Sequence, residues 1–211
     1  MDGTMTAMFR ERFPRVVGVD ASGKHLAEAR RRCPNVEFHE SLIEDLELPE
    51  RFDSVLMLDI LEHVVDPVVA IRKAATCLKD DGVMIMHVPN SQALNRKIAV
   101  IMGTLTSCEE LSPFDLQIAG HRRSYDTRSL SEDVRRAGLR VTAIGGIFLK
   151  MLSTAQMDWF LNNGLWAEGG FGWGRVGGPQ KDWRDEFCRA CYEMGKKRPE
   201  DCNVIYACAM K

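Results

Sequence analysis

Short apolar runs bounded by turn residues alternate with amphipathic segments through the first two thirds of the sequence. That rhythm predicts a mostly parallel sheet covered by helices. Arg15-Val16-Val17-Gly18-Val19-Asp20 reads as a strand that ends in a carboxylate. Ser22 then caps a helix reaching about Arg32, where Cys33-Pro34 stops it. Residues 36–39 supply a second strand and 52–59 a third, and Asp66-Pro67 opens a helix that closes at Lys79-Asp80-Asp81-Gly82. A strand over 82–88 ends at Pro89-Asn90, and a helix follows over 91–102. Periodicity weakens over 103–120, which reads as an insertion or lid. Tyr125-Asp126-Thr127 introduces a helix ended by Gly138, and 139–148 gives another strand. A short helix over 187–196 leads to a last strand over 203–210, a candidate hairpin partner of 139–148. The fold class is α/β, a doubly wound, mostly parallel sheet with a C-terminal antiparallel hairpin.

The chain has 211 residues, 45% hydrophobic and 27% charged, enough for one substantial core and one domain over 1–211. Residues 161–183 are rich in Gly and Trp and read as a cover segment. Trp159, Trp166, Trp173 and Trp183 either offer an aromatic surface to a substrate or anchor that segment on the core. With 28 Lys and Arg against 30 Asp and Glu, the formal charge of −2 gives no field favouring nucleic acid or an anionic membrane. A small-molecule substrate fits better. The first fourteen residues carry charges and no long apolar stretch, so a cytoplasmic protein is expected. Seven cysteines, an odd count, suit reduced thiols. Cys188 and Cys191, with Cys202 and Cys208 downstream, have an irregular spacing for zinc, and no metal is expected.

Asp20 is the first residue with chemistry in view. An acid at the carboxyl end of such a strand accepts hydrogen bonds from the two hydroxyls of a ribose, although the same position also serves as a helix cap or a solvated acid. The glycine-rich turn that completes a nucleotide site belongs roughly 20 residues earlier, and the residues before Arg15 do not supply it.

Taken together, VVGVDAS, FDSVLMLDILEHVVDP, LKDDGVMIMHVPN and GHRRSYDTRSLSEDVRRAGLRV resemble the class I S-adenosylmethionine-dependent methyltransferases, in particular their small-molecule, ubiquinone-biosynthesis-like branch. The resemblance spans about residues 8–148. It implies a Rossmann-like methyltransferase sheet with S-adenosylmethionine as cofactor. Asp20 would bind the ribose, flanked by Ala21 and Ser22, and Leu42 and Ile43 would pack against adenine, with Glu44 a candidate for the adenine amine. Leu58 and Asp59 would lie beside the sulfonium. A sulfonium methyl is already activated, so the protein has to align an acceptor and remove its proton. His63 is the first candidate base, the alternative being a structural imidazole bonded to a carbonyl. His121, at the lid exit, either faces a substrate or caps the chain. Arg122 and Arg123 either bind an acidic group of the substrate or are solvated.

The resemblance also implies a strand and acidic glycine turn that precede Asp20 and sit in the middle of the sheet. Without it two strand edges would lie unpaired, at about 1–3 kcal/mol for each lost buried backbone bond. A truncated reading of a longer protein, a genuine remnant and a strand donated by a partner chain are the three explanations. The leading functional expectation is methyl transfer to an oxygen, less so a nitrogen, of a small metabolite or sugar. The alternatives are a non-catalytic methyltransferase-like binding or assembly module, favoured by the missing turn, and an NAD-dependent dehydrogenase, whose ribose Asp20 would suit equally but which the LEHV segment and terminal hairpin oppose.

Overall fold

The computed structural model describes residues 2–152, 154–163 and 183–211. Strand β1 (Val17–Asp20) pairs in parallel with β2 (Glu37–Glu40), Val17 opposite Glu37 and Asp20 opposite Glu40. Two helices accompany this pair. Helix α1 (Thr4–Arg10) follows Gly3, whose φ of 85° is a left-handed conformation suited to glycine. Helix α2 (Gly23–Arg32) starts where expected, with Ser22 Oγ accepting from the His25 amide at 3.3 Å. Leu26, Ala29, Cys33 and Val36 are the buried apolar side chains of this N-terminal part.

The second sheet has strand order β3-β4-β6-β5. Strand β3 (Phe52–Leu58) lies parallel to β4 (Leu78–Pro89), and β6 (Val204–Met210) is antiparallel to β4 on one side and to β5 (Arg140–Gly146) on the other. The terminal hairpin expected from residues 139–148 and 203–210 is therefore present. Among the described residues β1 hydrogen-bonds to β2 alone and β3 to β4 alone, so the sheet is divided where the central strand was expected to be missing.

Alternation on β4 and β6 builds the core. Met84, Met86 and Val88 share a face with Ile205, Ala207 and Ala209, and all six are buried. They pack with Ile71 and Ala74 of α3 (Pro67–Thr76) and with Leu130 and Val134 of α5 (Thr127–Arg136). Both helices are capped by acids: Asp66 accepts from the amides of Val68 and Val69, and Asp126 forms a capping box with Ser129.

Several elements differ from the sequence reading. Lys79-Asp80-Asp81-Gly82 is not the turn after α3 but the start of β4, because Leu78 pairs with Phe52 and Lys79 bridges to Asp53 at 2.8 Å. Residues 103–120, where periodicity weakens, contain a π-helical turn, Asp115–Ala119, after helix α4 (Leu94–Ile101). Helix α6 (Thr154–Asn163) precedes the part of the Gly/Trp-rich cover that lies outside the described residues, together with Trp166 and Trp173. Helix α7 (Trp183–Lys197) is longer than 187–196, starting with the acids Asp185 and Glu186 and ending with Lys196 and Lys197, as the helix dipole favours.

Candidate active site

Strand β3 leaves the core at Leu58, and Asp59 turns the chain with φ 53°, the one positive value at a non-glycine among the described residues. A left-handed aspartate costs energy that packing must offset. Its amide donates to the His87 carbonyl at 3.1 Å, and its Oδ1 lies 3.0 Å from His87 Nδ1 without the alignment of a hydrogen bond. The register of β4, with His87 opposite Leu58, brings His87 to this corner.

The turn that follows carries Leu61, Glu62 and His63. Arg123 holds it, donating through Nη1 to the carbonyls of Leu61 (2.7 Å) and Val64 (2.6 Å) and through Nη2 to that of Val65 (2.8 Å). Arg123 is thus neither solvated nor free for a substrate, whereas Arg122 is exposed and donates its amide to the Glu62 carbonyl. Glu62 is buried, its side chain 2% exposed, and neither carboxylate oxygen has a hydrogen-bond partner. Burial pushes its carboxyl up to about 7, with nearby Asp59 acting in the same direction and the Glu62 amide, His87 and Arg123 opposing it.

His63 donates from Nδ1 to the Gly120 carbonyl at 3.3 Å in its Nδ1–H tautomer, so the structural bond weighed against catalysis exists. Its Nε2 lies 3.8 Å from Glu62 Oε1, and its ring meets that of His121 edge to face, centroids 5.0 Å apart. His121 is held below the ordinary imidazole value, chiefly by burial and also by His63, while Asp115 pulls the other way. One ligand atom from each of Glu62, His63 and His121 lies within 4.8 Å of the others, close enough for one cation or one polar substrate group to touch all three. Cys188, Cys191, Cys202 and Cys208 form no such group among the described residues.

The residues expected to hold the cofactor fall at strand ends. Asp20 closes β1 and accepts from the Ser22 amide at 2.8 Å, with its side chain one quarter exposed. Ala21 is exposed and Ser22 half-buried. Leu42, after β2, is 57% exposed, while Ile43 packs against the core, so Leu42 is the one that offers open apolar surface. Leu58 is half-buried and Asp59 exposed. Asp115 and the buried state of Glu62 were not anticipated; the sole sequence signal was an acid set next to a histidine within an apolar stretch.

Residues 2–144 match the sequence profile of a methyltransferase domain, and the chain belongs to that family. The ubiquinone biosynthesis O-methyltransferase of Bradyrhizobium diazoefficiens is 30% identical over 90 residues, which is 41% of this chain and 36% of that protein. A Bradyrhizobium sp. protein of the same description is 28% identical over 103 residues, 47% of this chain and 41% of its own length. The chain thus matches about two fifths of these curated relatives. An S-adenosylmethionine-dependent methyltransferase from Mesorhizobium loti superposes with a TM-score of 0.61 at 16% identity, covering 99% of this chain and 86% of that one. One from Clostridium acetobutylicum gives 0.57 at 11%, covering 99% and 80%. Both share the fold. No helix among the described residues is long and apolar enough to cross a membrane.

Proposed function

We propose that this protein is an S-adenosylmethionine-dependent methyltransferase of the ubiquinone-biosynthesis-like branch, acting on an oxygen of a small metabolite or sugar in the cytoplasm. The observation that carries the reading is the meeting of His63 and His121, one from the end of β3 and one from the lid exit, over a buried carboxyl. S-adenosylmethionine, when bound, supplies an activated methyl group. Asp20 accepts the ribose hydroxyls with Ala21 and Ser22 beside it, Leu42 and Ile43 cover the adenine, and Leu58 and Asp59 border the sulfonium end. The histidine pair takes the proton of the acceptor hydroxyl, and the lid over 103–120 excludes water and selects the acceptor.

Calorimetric titration with S-adenosylmethionine tests this. The chain should bind saturably, and Asp20→Asn should weaken binding about tenfold or more, as expected for losing hydrogen bonds to a charged acceptor. No saturable binding by the chain, nor by a form extended upstream to restore the strand and acidic glycine turn, would count against the reading and favour a non-catalytic module, for which the divided sheet is the motivating observation.

A further inference from the structure

We propose that Asp115, in the lid, is the positioning residue of this site, orienting His121 so that its Nε2 receives the proton of the acceptor hydroxyl. The inference rests on the methyl-transfer reading and selects one histidine of the pair. Asp115 is 9% exposed and opens the π-helical turn. Its Oδ2 is fully engaged: the Ser112 amide and Oγ each donate to it at 2.8 Å and Arg96 Nη1 at 3.1 Å. Arg96 also donates to the carbonyls of Cys108 (2.9 Å) and Glu110, which ties this stretch of the lid to α4. The other oxygen, Oδ1, faces His121, 3.5 Å from Nδ1. The His121 amide donates to the Asp115 carbonyl at 2.8 Å, so one residue orients both the main chain and the ring.

A carboxylate beside Nδ1 favours the Nδ1–H tautomer and leaves the lone pair on Nε2, the form a general base requires. His63 is differently placed. Its Nδ1 is turned to the Gly120 carbonyl and its Nε2 to the Glu62 carboxyl, so both ring nitrogens face protein groups. In the step itself the hydroxyl proton passes to His121 Nε2 as the oxygen–carbon bond forms. The carbon–sulfur bond breaks with its electron pair left on sulfur. The imidazolium so formed is stabilised by Asp115.

Asp115→Asn makes a sharp test, because three donors claim the Oδ2 position. The amide oxygen must take that place to satisfy them, which turns the amide nitrogen toward His121 and forces the Nε2–H tautomer. The lid keeps its own hydrogen bonds. Long-range proton–nitrogen correlation spectra of the full chain with labelled histidine, assigned through His121→Gln, read the tautomer directly. Turnover is followed with S-adenosylmethionine and catechol as the acceptor probe. Expected are Nδ1–H in the wild type, Nε2–H in Asp115→Asn, and turnover lowered ~10²-fold or more with the KM for catechol changed only a few fold. Asp126→Ala, which lowers stability by uncapping α5 outside the site, should keep both tautomer and turnover, whereas a purely structural role for Asp115 would make the two variants alike. An Asp115→Asn protein that retains Nδ1–H, or turns over within a few fold of wild type, overturns the assignment. If the wild type transfers no methyl and the tautomer still changes in Asp115→Asn, the positioning by Asp115 is supported and the methyl-transfer reading falls.

Discussion

His63 and His121 approach edge to face with ring centroids 5.0 Å apart, although one belongs to the turn after β3 and the other follows the π-helical turn Asp115–Ala119. The pair exists because two separate elements are fastened to each other. Arg123 holds the first through three carbonyls, and Asp115 with Arg96 holds the second.

Glu62 predicts a specific pH dependence of stability. Its carboxyl titrates near 7 in the folded protein against an ordinary 4.5, so between those values the native state holds a proton that the unfolded state has released. The contribution is fully present below about pH 4.5 and is lost as pH rises through about 7, amounting to about 3 kcal/mol. Urea denaturation at pH 5 and pH 8 should show that loss in the wild type, and Glu62→Gln should remove most of it. Equal pH dependence in the two proteins would show that Glu62 ionises as an ordinary carboxyl.

Arg123→Ala should release the turn bearing Glu62 and His63 and leave three carbonyls without their donor, costing about 1.5–3 kcal/mol for each bond to a charged group that water does not replace. Arg123→Lys should recover little, since one ammonium cannot reproduce the planar fork that reaches all three. Thermal melts of both variants, read beside S-adenosylmethionine binding, give the comparison.

Asp126→Ala removes the cap of α5 together with its reciprocal bond to Ser129. The expected cost is about 1–2 kcal/mol. A change in the denaturation midpoint at constant slope would register it, and a change within error would mean that solvent caps the helix equally well.

Gly3→Ala places a methyl group 2.8 Å from the Ala29 Cα at a φ of 85°. The left-handed conformation alone costs about 1–2 kcal/mol for an alanine, and backbone on the far side cannot yield. Helix α1 should lift from α2, seen as faster amide exchange in both.

Much of this architecture was legible in the sequence because its signals are local. Ser22, Asp66 and Asp126 announced three helix starts through short-range hydrogen bonds, and the apolar run over 203–210 announced the last strand. The start of β4 was misread because Lys79-Asp80-Asp81-Gly82 looks like a turn in isolation. Pairing of Leu78 with Phe52, a long-range contact, overrides that preference. In the site, the strand-end acid Asp20 and the Glu62-His63 doublet could be found by motif. Asp115 could not, since its meaning depends on Arg96 reaching across from α4 and on His121 folding back toward it. Arg123, read as a substrate ligand or a solvated charge, is consumed by three carbonyls that a one-dimensional reading cannot place.

The break between β1 and β3 has a consequence for folding cooperativity. Residues 2–40 bury their own small set of side chains around Leu26 and Ala29, and neither residue belongs to the large core around Met84, Met86 and Ile205. No ladder hydrogen bonds cross between the two sheets among the described residues. Such a chain should open in two steps rather than one, with the Asp20 end exchanging its amides at a lower free energy than the end that carries the histidines. A ligand that touches both ends, from Asp20 to Asp59, would act as the tie between them, and its binding would then be visible as a gain in cooperativity.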